Sequence, residues 1–199
     1  MPLHVNKTKP IRVVVCCMRI GGTTDITVHK RQFDGSLEEV LPPSGGDWGG
    51  TAVDRAYLEF VNSESVSCAG QKLSVKPEAF RKLFKSTIDS IIKHVDKLLK
   101  HPNLSDLHHI IMVGGFSECE LVQTAMRQKF PNKKIIIPDE AGLAVLRGAV
   151  LFGHQPKIIG KRILRKTYGI QSWPEWDAEL HPKPKECELM ELIVAKMFL

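Results

Sequence analysis

The stretch IRVVVCCMRIGGTTDITV, residues 11–28, decides the fold of this 199-residue chain. It begins with a β-branched run that is typical of a buried strand. Gly21-Gly22 then turns the chain into a second run with alternating apolar residues, and Asp34-Gly35 is the signal of a further hairpin. The first forty residues therefore predict three antiparallel strands, at residues 11–17, 25–31 and 37–41.

Helical spacing dominates the sequence that follows. After the glycine-rich loop PPSGGDWGG at residues 42–50, apolar residues recur at helical steps from Thr51 to about residue 60. Pro77 suits the first turn of a long helix that Pro102 closes. Strands and helices then alternate, which predicts parallel neighbours with right-handed crossovers. The predicted elements are a strand at 110–113, a helix at 118–129, a strand at 134–137, a helix at 138–152 and a last helix within 186–199.

Composition is that of one globular domain, with 43% hydrophobic and 25% charged residues. The net charge of +6 suits an anionic partner such as a nucleotide, RNA or lipid headgroups. An evenly basic surface explains the same charge more simply, so we predict no nucleic-acid partner. The five cysteines form no CxxC pair, which indicates reduced thiols rather than zinc ligands or disulfides. With no apolar run near the roughly 20 residues that span a bilayer, we expect no membrane association and a cytoplasmic location.

Three glycine clusters occur at predicted bends: Gly21-Gly22, Gly45-Gly46 through Gly49-Gly50, and Gly114-Gly115. Glycine lets backbone approach an anion closely and reach positive φ, and consecutive amides in such turns bind phosphate. The third cluster also precedes a predicted helix, whose N-terminal amides favour negative charge. Each cluster alone could simply be a tight turn, and none fits a Walker A loop or the GxGxxG fingerprint. Their order along the chain favours phosphate binding.

Four ordered motifs carry a resemblance to the actin-type ATPases. GGTTD at 21–25 with ITV at 26–28 resembles their second phosphate motif, and GGDWGGTAVD at 45–54 is similar to the loop and helix start that follow it. MVGGFSE at 112–118 resembles the adenosine motif. IPDEA at 137–141 with LRGAV at 146–150 resembles a segment of the heat-shock 70 kDa ATPases. The forms TVHKR, VGGFSE and LRGAVLFG point to branch twelve of that family, over about residues 11–182.

The resemblance implies an α/β fold, the ribonuclease H-like core of the second lobe of an actin-like ATPase. We expect a mixed five-stranded sheet with an antiparallel start and helices on both faces. Residues 1–182 would form this core, with a short linker at 62–70 where the family has a subdomain, and residues 183–199 would form a tail. In the family ATP sits between two lobes, so the resemblance implies ATP, with Mg²⁺, as the cofactor. The implied contacts are Gly21, Gly22 and Thr23 with the β- and γ-phosphates, and Gly114, Gly115, Phe116 and Ser117 on the adenosine side.

Two departures from the family pattern bear on activity. The family's acidic residue before its glycine run falls at Met18, and its first glycine falls at Ile20. A thioether cannot organise Mg²⁺, which prefers oxygen ligands. Phosphoryl transfer depends on electrostatic stabilisation from several directions, and we expect the family's first lobe, with its own phosphate loop and catalytic lysine, to be missing from this chain. We therefore expect weak or vestigial ATP binding and no hydrolysis by this chain alone.

Three functional interpretations remain open at this stage. The first is an ATP-binding domain of the chaperone family, partial in extent. The second is a non-enzymatic protein-interaction module that binds a partner protein or a separate first lobe. The third is a segment of a longer product. No catalytic residue is assigned. No metal ligand is assigned either, because a favourable interaction with the dipole at a helix C-terminus explains the cluster of histidines at residues 94, 101, 108 and 109.

Overall fold

The computed structural model describes residues 11–19, 21–62, 68–69 and 72–166, together with short stretches between residues 171 and 198. Two compact units divide the chain, Met1–Ile163 and Leu164–Leu199. The predicted boundary at residue 182 falls inside the second unit. The elements of the first unit are β1 (Ile11–Met18), β2 (Thr24–Arg31), β3 (Leu37–Gly46), α1 (Gly50–Val61), β4 (Cys68–Ala69), β5 (Lys72–Leu73), α2 (Pro77–Leu99), β6 (His109–Val113), α3 (Glu120–Lys129), β7 (Lys134–Ile136), α4 (Ala141–His154) and β8 (Ile159–Lys161).

A mixed six-stranded sheet organises the first unit, in the order β7-β6-β1-β2-β3-β8. The pairs β1–β2 and β2–β3 are antiparallel, whereas β1–β6, β6–β7 and β3–β8 are parallel. The predicted antiparallel start and parallel end are confirmed. The predicted number of strands is one too low, because β8 has only three residues and one of them is Gly160, so no alternation marks it.

One face of the sheet carries the main hydrophobic core. Along β1 the side chains of Val14, Cys16 and Met18 are fully buried, while the residues between them are half-buried, because successive side chains of a strand point to opposite faces. The buried face packs against apolar residues of α1, α2 and α3, and α2 contacts both of the other helices. None of the residues of this core cluster comes from α4.

Several helix and strand limits differ from those predicted. β3 extends to Gly46 and takes up half of the glycine-rich loop. The bend at Gly114 is followed by a short 3-10 helix, Gly115–Glu118, and α3 begins only at Glu120. The positive end of the α3 dipole therefore lies at Glu120 and not at the glycine bend. The linker predicted at 62–70 lies mostly outside the described residues, apart from Asn62, which caps α1, and the two-residue strand β4, which pairs with β5.

The second unit contains short strands where a last helix was predicted. Its strands are β9 (Gln171–Ser172), β10 (Glu186–Leu189), β11 (Leu192–Ala195) and β12 (Met197–Phe198). β10 pairs with β11, and β12 pairs with β9, both antiparallel. The prediction of a helix in residues 186–199 is wrong, since the β-branched pair Ile193-Val194 favours a strand over a helix. Within the described residues, none of the helices combines the length and hydropathy needed to cross a bilayer.

Candidate functional site

The first glycine bend joins β1 to β2. The backbone N–H of Arg19 donates to the carbonyl of Thr23 with an N···O distance of 3.0 Å, which closes the bend. Gly22 has a φ of +115°, which side chains rarely allow, and a Cβ there would lie 2.6 Å from Oγ1 of Thr51. Gly21 is exposed. The bend is therefore tight on the side of α1 and open at Gly21.

The second glycine cluster supports the first bend. The N–H of Gly49 donates to the carbonyl of Gly22 at 3.0 Å, and the N–H of Gly50 donates to the carbonyl of Arg19 at 3.2 Å. A Cβ on Gly49 would lie 2.5 Å from the Arg19 oxygen, so only glycine permits this approach. Since the amides of Gly49 and Gly50 at the start of α1 already have backbone acceptors, they support the first bend and are not free to bind an anion.

The third glycine bend lies beside the first one. β6 runs parallel to β1 with Val113 opposite Cys17, so Gly114 comes next to Met18. Gly114 has a φ of +87°, and a Cβ there would lie 2.3 Å from the carbonyl oxygen of Met18. Its N–H donates to the carbonyl of Ala141 at 2.7 Å, which fixes the start of α4 to the bend.

The first and third bends share one cleft of about 1140 Å³, which is large enough for a nucleotide. Gly21 and Gly115 both line it, and within the described part of the chain neither of their N–H groups has a hydrogen-bond acceptor. Thus each of the two bends contributes to this cleft a glycine whose backbone N–H has no acceptor among the described residues. The lining residues are Arg19, Gly21, Thr23, Gly114, Gly115, Glu118, Asp139, Glu140, Gly142, Leu143, Val145, Leu146 and Ala149.

Not every predicted contact residue reaches the cleft. Gly22 is absent from the described lining and turns toward Thr51 instead. Ser117 is fully buried, and its Oγ donates to the carbonyl of Gly114 at 2.6 Å. Phe116 is also buried, and its ring stacks against that of Phe84 with centroids 6.5 Å apart. In this structure Phe116 and Ser117 therefore pack beneath the third bend and are not among the described lining residues of the cleft. The resemblance instead predicts that they contact adenosine directly.

The charged residues of the cleft belong to different segments and have different partners. Arg19 belongs to the first bend, and its exposed guanidinium has no carboxylate within ion-pair distance among the described residues. Three acidic residues surround the start of α4. Oε1 of Glu118 accepts from the N–H of Gly142 at 2.8 Å, and Glu140 pairs with Arg147. Asp139 is exposed. Among the described lining residues, Arg19 and Gly21 are therefore the more favourable surroundings for an anion.

The sequence patterns did not single out Arg19. Its charge also acts on Cys17 behind the bend: burial raises the pKa of the Cys17 thiol, Asp25 adds to that increase, and Arg19 opposes it. Arginine is suited to phosphate because its planar fork of N–H donors matches the phosphate oxygens. The position of Arg19, directly before Ile20 in a bend already suspected of binding phosphate, is the signal that could have identified it.

The residues at this site do not suit the magnesium ion that the resemblance implies. Met18 stands where the family has a carboxylate, and its side chain is fully buried in the hydrophobic core. A thioether is a poor ligand for Mg²⁺, which prefers oxygen atoms in octahedral geometry. Over the described ranges, no three His, Cys, Asp or Glu side chains form a group that could hold a metal ion. The cleft is therefore large enough for a nucleotide, but its described lining residues do not suit Mg²⁺.

Comparison with curated proteins identifies relatives of part of the chain. The chain is 40% identical to heat shock 70 kDa protein 12A of Mus musculus over 135 residues, which is 67% of this chain and 19% of the relative. It is 31% identical to heat shock 70 kDa protein 12B of Homo sapiens over 137 residues, which is 68% of this chain and 19% of the relative. The chain thus spans about a fifth of the length of the curated relatives it matches. None of the protein-family models searched matches it.

Solved structures show the fold class. Ta0583, an archaeal actin homologue, superposes with a TM-score of 0.55 at 17% identity, over 72% of this chain and 49% of that chain. The same homologue in complex with ADP gives a TM-score of 0.54 at 18% identity, over 72% of this chain and 50% of that chain. The PilM-PilN complex of type IV pilus biogenesis gives 0.50 at 11% identity, over 73% of this chain and 47% of that chain. The predicted actin-like fold is confirmed.

Proposed function

Because this chain is homologous to the heat shock 70 kDa proteins 12A and 12B over about two-thirds of its length and has the actin-like fold, we propose that it binds ATP or ADP in the cleft between its first and third glycine bends. The observation that carries this proposal is that Gly21 and Gly115 line one cleft and that neither N–H group has an acceptor among the described residues. The phosphates would lie at Arg19, Gly21 and Thr23. The nucleoside would lie toward Gly114, Gly115 and the apolar residues of α4 such as Leu143 and Leu146.

We further propose that binding by this chain alone is weak and that it does not turn over ATP. Backbone donors at an exposed site gain little, because water competes for the same hydrogen bonds. Transfer of a phosphoryl group also needs charge stabilisation from several sides. The positive group that the described cleft offers is Arg19, and its acidic residues lie around the start of α4.

We expect calorimetric titration of the chain with ATP or ADP to give a dissociation constant weaker than about 1 μM. We also expect no phosphate release above the uncatalysed rate. A melting temperature that rises with nucleotide concentration would support binding, since a ligand of the folded state stabilises it by mass action. Tight one-to-one binding, or measurable hydrolysis, would contradict the proposed weakness. Absence of any melting shift and any heat would contradict the nucleotide proposal itself.

A second candidate function, protein interaction, is supported by α4. Apart from Arg147 and His154 this helix consists of apolar residues and glycines, and Ala141 is its only buried residue. A helix with so few polar residues is normally buried, and a large exposed apolar patch often marks an interaction surface. The exposed apolar residues of α4 are Leu143, Val145, Leu146, Val150, Leu151 and Phe152. We propose that the complementary lobe of an actin-like fold covers those that do not line the cleft, Val150, Leu151 and Phe152, since the archaeal actin homologue matches this chain over only 49% of its own length.

We expect Leu151→Glu to weaken this docking about tenfold or more, because a charge would be desolvated in an apolar contact. The binding partner for the test is mouse heat shock 70 kDa protein 12A from which the matched segment has been deleted, co-expressed with the chain and co-purified. The matched control is Leu58→Glu on α1, since Leu58 is 60% exposed and Leu151 is 50% exposed. Equal recovery of the two variants would contradict docking on α4.

We propose a cytoplasmic location and a chaperone-family context for this activity. Three cysteines in the described residues are free thiols, Cys16, Cys17 and Cys119, which suits a reducing compartment. Burial, with a smaller contribution from Cys17, raises the pKa of Cys16 to about 12. Its thiol therefore stays protonated at neutral pH and is a packing group, since reactivity requires the thiolate.

A further inference from the structure

At the first bend, the cationic side chain of Arg19 follows Met18, which stands where the family pattern has an acidic residue. Arg19 lies in the cleft with an exposed guanidinium, one residue after Met18, whose side chain points into the core. The backbone of Arg19 is held firmly, because its N–H donates to Thr23 and its carbonyl accepts from Gly50. The residue is thus fixed at its base and free at its tip, beside the unpaired N–H of Gly21.

The acidic residues of the cleft have other partners or positions. Glu118 accepts a hydrogen bond from the start of α4, and Glu140 pairs with Arg147. Asp139 remains, and it belongs to the segment before α4. Mg²⁺ is usually bound by one or two carboxylates together with phosphate oxygens, but none of the described lining residues of the first bend, where the phosphates would lie, is a carboxylate. The phosphates of a nucleotide nevertheless need a positive charge nearby, since they carry several negative charges at neutral pH. The described group that can supply it is Arg19.

We propose that Arg19 takes the place of the divalent cation: it binds the phosphates of a nucleoside di- or triphosphate at the first bend, so that binding needs no Mg²⁺. This inference rests on the proposed function and specifies its ligand as the metal-free nucleotide. Arginine can make two parallel N–H···O bonds to one phosphate group, which a lysine cannot do. The affinity for the nucleotide would then stay the same when a chelator removes Mg²⁺, and it would fall when the guanidinium of Arg19 is removed.

The test is titration of the full chain with ADP and ATP, once with excess Mg²⁺ and once with EDTA, followed by melting temperature and by calorimetry. The unmodified chain is expected to bind equally in both conditions, within about threefold. Arg19→Ala is expected to weaken binding about tenfold or more in both conditions, and Arg19→Lys to restore part of the loss. Arg127→Ala is the control, because Arg127 is an exposed arginine of α3 outside the cleft lining.

The outcomes separate this inference from the proposed function. Binding that EDTA abolishes, or equal affinities of Arg19→Ala and Arg127→Ala, would overturn the role of Arg19 while nucleotide binding stood. An Arg19→Ala chain that melts at the parent's temperature without ligand shows that a loss of affinity does not come from misfolding. If the unmodified chain binds no nucleotide under either condition, both the inference and the proposed function fall.

Discussion

Replacement of Gly114 by alanine is expected to destabilise the chain by about 3 to 5 kcal/mol. Gly114 has φ +87° and ψ +154°, a combination that is open almost exclusively to glycine and that costs other residues about 1–3 kcal/mol. The new Cβ would also lie 2.3 Å from the carbonyl oxygen of Met18. Neither backbone can withdraw easily, because β1 and β6 are paired neighbours inside the sheet. Urea unfolding followed by circular dichroism measures the loss.

The control for this substitution is Gly148→Ala. Gly148 lies in the middle of α4, and a Cβ there would meet nothing within 4 Å. Alanine in a helix interior is preferred over glycine by about 0.5–1 kcal/mol, so this variant should become slightly more stable. The two glycine-to-alanine changes are thus expected to have opposite signs. Similar unfolding midpoints for both variants would show that the bend at Gly114 is not as tight as described.

Introduction of aspartate at Met18 is expected to destabilise the chain by about 4 kcal/mol near neutral pH. The substitution restores the acidic residue of the family pattern, but Met18 is fully buried in the main core. A carboxylate there would lose its hydration, and its pKa would rise above the usual value of about 3.9. Between those two pKa values the folded chain binds more protons than the unfolded chain, so stability falls as pH rises. The measurement is urea unfolding at about pH 5 and about pH 7, with the larger loss expected at the higher pH.

Two further variants isolate the effect of charge. Met18→Leu keeps the volume nearly constant and is expected to cost less than about 1.5 kcal/mol. Met18→Asn adds polarity without an ionisable group, so its cost is expected to be independent of pH in this range. Addition of Mg²⁺ is expected to leave the Met18→Asp variant no more stable. Recovery of stability with Mg²⁺ would show instead that this side chain can reach the cleft and that the metal position is intact.

The central part of the fold could be predicted from the sequence because local patterns and topology agree there. The run after Ile11 is too β-branched for a helix, and Gly21 and Gly114 each follow a buried strand. Strands joined by a helical crossover are usually parallel neighbours, and the ends of parallel strands meet at the same edge of a sheet. The shared cleft of Gly21 and Gly115 follows from that arrangement.

Other features depend on contacts between segments that are distant in the chain. Gly49 contacts the backbone of Gly22 and Arg19, and no local pattern distinguishes such support from a phosphate loop. The burial of Ser117 arises from its hydrogen bond to Gly114 and from the packing around it, whereas the motif alone suggests a ligand contact. Arg19 is recognised as a candidate only in the structure, because the sequence does not show that its guanidinium lacks a carboxylate partner among the described residues.

The strand order of the first unit has a consequence for association. The outermost strands of the six-stranded sheet are β7 and β8, and each has only three residues. Short edge strands expose few unpaired backbone N–H and C=O groups, which protects a sheet against the addition of strands from other molecules. Growth by strand addition is therefore disfavoured on both sides. Attachment of another polypeptide to this unit has to rely on side-chain surfaces, of which the apolar helix near its carboxyl end is the most prominent.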